Sequence, residues 1–271
     1  MLPFMTDINQ NGELVGKPKD GYGIYDQTAE QMYPIGTTLN LHGRQWKYCR
    51  AAEAITLPHR GSPCLVDYPW IATSLYSLKG VETNNRAVGV AGRKSLTVEA
   101  DDYSQDTSPY SATIKNFYQG GYANIFFDTS LIATVRITGS DACTTDVDTG
   151  TSIDMVLYFD EPLPTAIVAA SHIDVYPSPY ICCGNSNSGT GWSSFVCVPP
   201  IAVTTQYFFW GQTKGPCWVT PNVGITATGV RDLCFHNNGT VKIPVLGLQR
   251  AGYIIYKGDN TQDDALIMLD I

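Results

Sequence analysis

The sequence predicts an all-β fold, mainly antiparallel, closed as a barrel or stacked as a sandwich. Charged residues occupy only 15% of the 271 positions, whereas Gly (25), Tyr (16) and Pro (16) are frequent. That mix suits strands and turns better than long solvated helices. Short β-branched and aromatic runs recur along the chain, each bounded by Gly, Pro, Asn or Ser. No repeat of about 20 to 50 residues stands out, which disfavours solenoids and propellers. A chain of this length can bury the core of one large β-domain or of two smaller ones.

The elements follow in chain order. Residues 1–30 are polar and without a clear period, as expected of an extended N-terminal arm ordered only by a partner. Tyr33 to Arg50, reading YPIGTTLNLHGRQWKYCR, holds two extended runs around His42-Gly43 and predicts a hairpin. Alternation places Arg44, Trp46 and Tyr48 on one strand face, with Gln45, Lys47 and Cys49 on the other. One or two short helices are expected, a tail at Arg50–Ala54 and a segment at Asp67–Tyr76 with Pro69 in its first turn. Arg86–Val90 and Lys94–Glu99 read as short strands, and Lys115–Phe127 as an aromatic hairpin around Gly120-Gly121. Ala133–Thr138 and Ile153–Phe159 are strands. In the second, the consecutive Met155, Val156 and Leu157 predict cover on both faces. Asp141–Ser152 is an acidic, Thr-rich loop, and Cys182–Ser194 a surface loop by its Gly, Asn and Ser content. Val196 to Ile271 holds at least five strands. The expected division is the arm 1–30, a β-rich domain 31–195 and a C-terminal β-subdomain 196–271.

Charge and cysteine usage narrow the function classes. A formal net charge of −8, with no basic run longer than Arg93-Lys94, argues against nucleic-acid binding, which needs clustered Lys and Arg. No apolar run approaches a membrane span. The N-terminus lacks the basic start and apolar core of a signal peptide, so the protein is expected to be made in a cytoplasm and to stay soluble. Eight cysteines, at 49, 64, 143, 182, 183, 197, 217 and 234, are then expected as buried, reduced thiols rather than a disulfide framework. The sequon Asn238-Gly239-Thr240 is expected to stay unmodified.

No pattern carries catalysis. Gly184-Asn185-Ser186-Asn187-Ser188-Gly189 lacks the spacing of a nucleophile elbow, and Gly89–Ser95 fails the phosphate-loop spacing because Arg93 intervenes. Cys234-Phe235-His236 and Cys182-Cys183 lack zinc-module spacings, and Asp141, Asp146, Asp148 and Asp154 lack the calcium-loop glycine and glutamate. No catalytic residue, cofactor or metal is therefore expected. The tryptophans sit mostly in strand contexts, where burial is the ordinary explanation, except Trp192, whose polar loop would let it stack on a glycan or a neighbouring subunit. In Gln206–Pro216, Tyr207 and Phe209 share one face and Phe208 and Trp210 the other, so the strand needs cover on both sides. The candidate contact residues are Trp46, Tyr48, Trp192, Tyr207, Phe209 and Trp210.

The Tyr33–Arg50 block resembles a hairpin common near the start of virion surface proteins of tailed bacteriophages. The blocks that follow are Asn116–Tyr122, Glu161–Leu163 leading to Pro177–Tyr180, Gln206–Pro216, Val245–Leu248 and Ala265–Ile271. Their order is similar to that of a phage structural-protein family, over roughly Tyr33 to Ile271. The resemblance implies a non-enzymatic virion protein on the outer head surface, a decoration or cement protein assembled in the host cytoplasm. Its implied partners are the major capsid protein and its own copies, a trimer matching local three-fold sites. An acidic exterior suits such a particle surface. A tail or head-fibre component and a carbohydrate-binding β-protein are the alternatives.

Overall fold

A computed structural model describes residues 22–65, 91–100, 115–127, 131–141, 153–166, 172–187, 194–222, 229–256 and 266–271, with 9, 12–14, 18 and 225 besides. Every regular element among them is a strand, so the all-β expectation holds. The chain divides into two compact units, residues 1–67 with 179–271, and residues 68–178. This differs from the expected cut at 195. The early hairpin pairs with a strand beyond residue 206, so the first and last parts of the chain share one unit.

In the first unit, β1 (Gln27–Thr28), β2 (Thr38–Leu41), β3 (Arg44–Arg50) and β4 (Ser62–Pro63) precede the crossing to the second unit. The second unit carries β5 (Ser95–Ala100), β6 (Tyr122–Phe127), β7 (Leu131–Ser140), β8 (Ile153–Phe159) and β9 (His172–Tyr176). The chain then returns through β10 (Phe195–Cys197), β11 (Phe208–Trp218), β12 (Asp232–Phe235), β13 (Val241–Lys242), β14 (Arg250–Tyr256) and β15 (Leu266–Asp270). The large sheet runs β13-β12-β14-β15-β11-β3-β2, with β1 also on β11, while β10 and β4 form a separate pair.

The β2–β3 hairpin forms as expected. Leu41 pairs with Arg44 across a two-residue loop whose His42 and Gly43 both have positive φ, 51° and 73°. Two such residues make the turn whose twist matches that of the flanking strands. β11 is the central strand. It pairs with β3 from Phe208 to Lys214 and with β15 from Lys214 to Trp218, so its partners change at Lys214. Pro216 falls beyond the β3 ladder, where a missing N–H costs least. Gly215, at φ +92°, passes so close to Gly43 O and Arg44 Cα that a side chain there would collide with backbone. Both faces of β11 are covered, as predicted. Phe209, Trp210, Gly211, Gln212 and Thr213 are all buried.

Two expectations for this unit are corrected. Residues 50–54 are not helical. Arg50 closes β3, the Ala51 N–H donates to Tyr207 O and the Ala52 N–H to Cys183 O, so the backbone is satisfied by distant strands instead of its own preceding turn. The described part of the arm is not free of the body either. Leu14 and Ile24 are buried, the Leu14 N–H donates to Thr38 O, and Gln27 and Thr28 pair with Phe209 and Phe208. Polar composition hid this, because two or three apolar side chains and a few ladder bonds suffice to fix a segment against a sheet edge. The expected helix at Asp67–Tyr76 and strand at Arg86–Val90 lie outside the described residues.

The second unit is a five-stranded antiparallel sheet in the order β5-β8-β7-β6-β9. β7 alternates strictly between exposed Thr134, Arg136 and Thr138 and buried Val135 and Ile137, the mark of one covered face. In β8, Tyr158 is exposed between buried Leu157 and Phe159. The Tyr158 hydroxyl donates to Asp141 at 3.1 Å; within the consecutive run Leu157 is buried and Val156 partly so, and the Met155 side chain lies outside the described residues. Of the predicted aromatic hairpin only the second half is a strand. Residues 115–120 are turns, with Asn116 at φ 64°, and they bury Phe117 against Tyr118 edge to face. Among the described residues no helix is long and apolar enough to cross a membrane.

Candidate functional site

Most of the predicted contact residues lie inside the first unit rather than on its surface. Trp46, Tyr48, Phe209 and Trp210 are between 1 and 3% exposed. Tyr48 stacks on Phe208 at 5.9 Å and meets Trp210 at 5.1 Å and Tyr33 at 5.2 Å, so β3 and β11 bury one aromatic layer between them. The Trp210 Nε1–H donates to Tyr22 O at 3.1 Å, and the Met32 N–H donates to the Tyr48 hydroxyl at 3.0 Å. Burial pushes the Tyr48 phenol up to about 12. Buried rings have no free area to give a partner, so these four are corrected from contact residues to core. Tyr207 is half-buried, and Trp192 lies outside the described residues.

Two features of the first unit have chemical potential. The first is a cleft of about 420 Å³ beside the His42-Gly43 turn, lined by Tyr25, His42, Arg44, Trp46, His59 and Trp218 among others. The β2–β3 turn and the start of β3 place His42, Arg44 and Trp46 there, and the end of β11 places Trp218. The Arg44 guanidinium lies 5.3 Å from the Trp46 ring centre, and His59 meets Trp218 edge-on at 5.1 Å. Partial burial lowers the His59 pKa, favouring a neutral imidazole. Trp46 Nε1 is a buried donor without an acceptor among the described residues. The exposed Trp218 and Tyr25 rings beside the Arg44 guanidinium suit stacking on a ring-shaped ligand.

The second is a group of three thiols. β3 brings Cys49, β10 brings Cys197, and the segment after Tyr180 brings Cys183, which bridges Ala51 in parallel and Cys64 in antiparallel. The three sulfurs lie within 4.8 Å of one another and are fully buried. Cys49 Sγ lies 3.9 Å from Cys197 Sγ and 3.2 Å from Lys47 O, while Cys183 Sγ lies 3.6 Å from Tyr180 O. The seven described cysteines, including these, form no disulfide. Burial drives the Cys49 and Cys183 thiols well above their ordinary range. At Cys197 burial is the largest influence and opposes ionisation, but hydrogen bonds from Cys183, Cys49 and Ser62 together outweigh it and hold this thiol low.

Gly211 on β11 faces this group. A Cβ there would run into Cys197 Sγ and come within 3.3 Å of Cys49 Sγ, so the glycine makes room for the sulfurs. Sequence reasoning set these cysteines apart as inert and read residues 182–194 as a surface loop. Cys182, Cys183, Gly184 and Ser186 are buried instead, Asn187 and Ser194 are exposed, and 188–193 lie outside the described residues. The cluster joins residues 148 positions apart, so no local spacing could signal it. The available signal was the apolar, β-branched setting of Cys197, which marks a buried strand. Comparison of the chain with protein-family models, with curated proteins and with solved structures finds no match.

Proposed function

We propose that the protein is a non-enzymatic structural component of a tailed-phage particle, a decoration or cement protein on the outer head surface. The observation that carries this reading is the arrangement of the blocks behind the resemblance. Residues 33–50, 206–216 and 266–271 supply β2, β3, β11 and β15, which stand side by side in one sheet. Three of the blocks behind the resemblance thus share the frame of the first unit, while 161–163, 177–180, 245–248 and most of 116–122 lie in turns and loops. A net charge of −8 supports the same reading, since like charge keeps a particle surface dispersed.

In this role the first unit acts as a rigid body whose aromatic layer is spent on its own core. Adhesion to the major capsid protein and to neighbouring copies, as a trimer at local three-fold sites, would then use exposed side chains such as Tyr253, Tyr256 and Leu246. Assembly would take place in the host cytoplasm. Quantitative mass spectrometry of purified particles is expected to find the chain at a copy number comparable to that of the major shell protein. A few copies per particle would favour a tail or head fibre, and absence from particles would overturn the proposal. The cleft favours a second reading, carbohydrate capture, in which the half-exposed Trp218 stacks on a sugar face. Binding on a glycan array that Trp218→Ala abolishes would select it.

A further inference from the structure

We propose that Cys49, Cys183 and Cys197 form a structural metal centre that takes one thiophilic d10 cation, zinc in the first place. The argument is geometric and does not depend on the particle reading. A triangle with one side of 3.9 Å and none above 4.8 Å has its centre no more than about 2.8 Å from each corner. A zinc–thiolate bond is about 2.3 Å, and neighbouring sulfurs around a tetrahedral zinc stand about 3.8 Å apart. An ion at the centre needs only a small contraction of the triangle. Soft sulfur ligands select zinc or Cu(I) over hard cations such as magnesium or calcium.

A structural site needs a fourth donor and closure to water. Cys64 pairs with Cys183 across an antiparallel bridge but its sulfur stands outside the group of three, so it would have to move inward to be that donor. The three sulfurs are shut off from solvent, so the ion would enter as the chain folds, displacing the protons of the coordinating thiols to solvent. Each ligand belongs to a different segment: β3 in the large sheet, the turn after Tyr180, and β10 in the small sheet with β4. The ion would therefore tie the small sheet to the large one through segments far apart in sequence, where closing a long loop constrains the unfolded chain most.

The test is elemental analysis of the full-length protein, purified without chelator under reducing conditions. About one zinc or copper per chain is expected, released when a mercurial reagent titrates the thiols. The variants Cys49→Ser, Cys183→Ser and Cys197→Ser are each expected to lose most of the metal. Because such variants can fail to fold, the wild-type chain is also unfolded with chelator and refolded with and without Zn²⁺. Refolding with zinc is expected to raise the melting temperature, and Co²⁺ in its place to give the intense visible bands of a thiolate-rich tetrahedral site. Folded wild-type protein with far less than one metal per chain, and no response to zinc on refolding, would overturn the proposal. So would metal retained when all three cysteines are replaced, or a mass 2 Da low that marks a Cys49–Cys197 disulfide.

Discussion

Trp210→Ala is expected to lower the unfolding free energy by roughly 3–5 kcal/mol, the range for removing a large aromatic side chain from a packed core. Trp210 is 1% exposed and contacts Tyr33 and Tyr48, so its loss opens a cavity beside these rings on the shared face of β3 and β11 that they cannot collapse to fill. It also removes the hydrogen bond to Tyr22 O, leaving that carbonyl to find water as the 22–28 segment loosens. Urea denaturation followed by tryptophan-independent circular dichroism checks this. A loss below about 1 kcal/mol would mean that the ring is not part of the core.

Gly252→Ala is expected to be comparably damaging, roughly 3–5 kcal/mol, by a different mechanism. Gly252 lies in β14 between β12 and β15, paired with Leu233 on one side and Leu269 on the other. Its φ is +142°, a conformation that L-residues with a side chain rarely adopt, and a Cβ would run into the Met268 carbonyl oxygen. Since the obstacle is backbone in the neighbouring strand, the ladder between β14 and β15 must open to relieve it. The cluster of Val219, Leu233, Phe235, Ala251, Ile267 and Leu269 packs around this point, so the damage spreads into the core. Circular dichroism melting of the variant checks this, and a transition unchanged from wild type would contradict it. Ala251→Gly at the adjacent position serves as the comparison, since it removes one methyl without a clash and should cost much less.

Local chemistry made the hairpins and strands legible in the sequence, and long-range pairing hid much of the rest. His42-Gly43 announced a two-residue turn, and alternation correctly separated Trp46 and Tyr48 from Gln45 and Lys47. The aromatic run at 206–216 showed from its two large faces that β11 is covered on both sides. What covers it was beyond the sequence. The cover comes from the chain's own side chains, Tyr33 and Tyr48 on Trp210 and Cys197 of β10 over Gly211, which moved Trp46, Tyr48, Phe209 and Trp210 from surface to core. The split into units was missed for the same reason, because residues 68–178 separate two parts of one sheet and nothing in composition marks that. Cys182-Cys183 looked like part of a polar loop because the Gly, Asn and Ser residues after it dominate the local average. The buried bridges to Ala51 and Cys64 decide its place instead.

If the chain coats the outer surface of a particle head, as proposed, the purified protein should bind heads that lack it. Co-sedimentation at increasing protein concentration is expected to saturate at a fixed ratio to the major shell protein, and cryo-electron microscopy of the saturated heads to show added density outside the shell. Coated heads should also withstand heat or chelation that disrupts bare ones. No saturable binding, or density confined to the tail, would contradict the account.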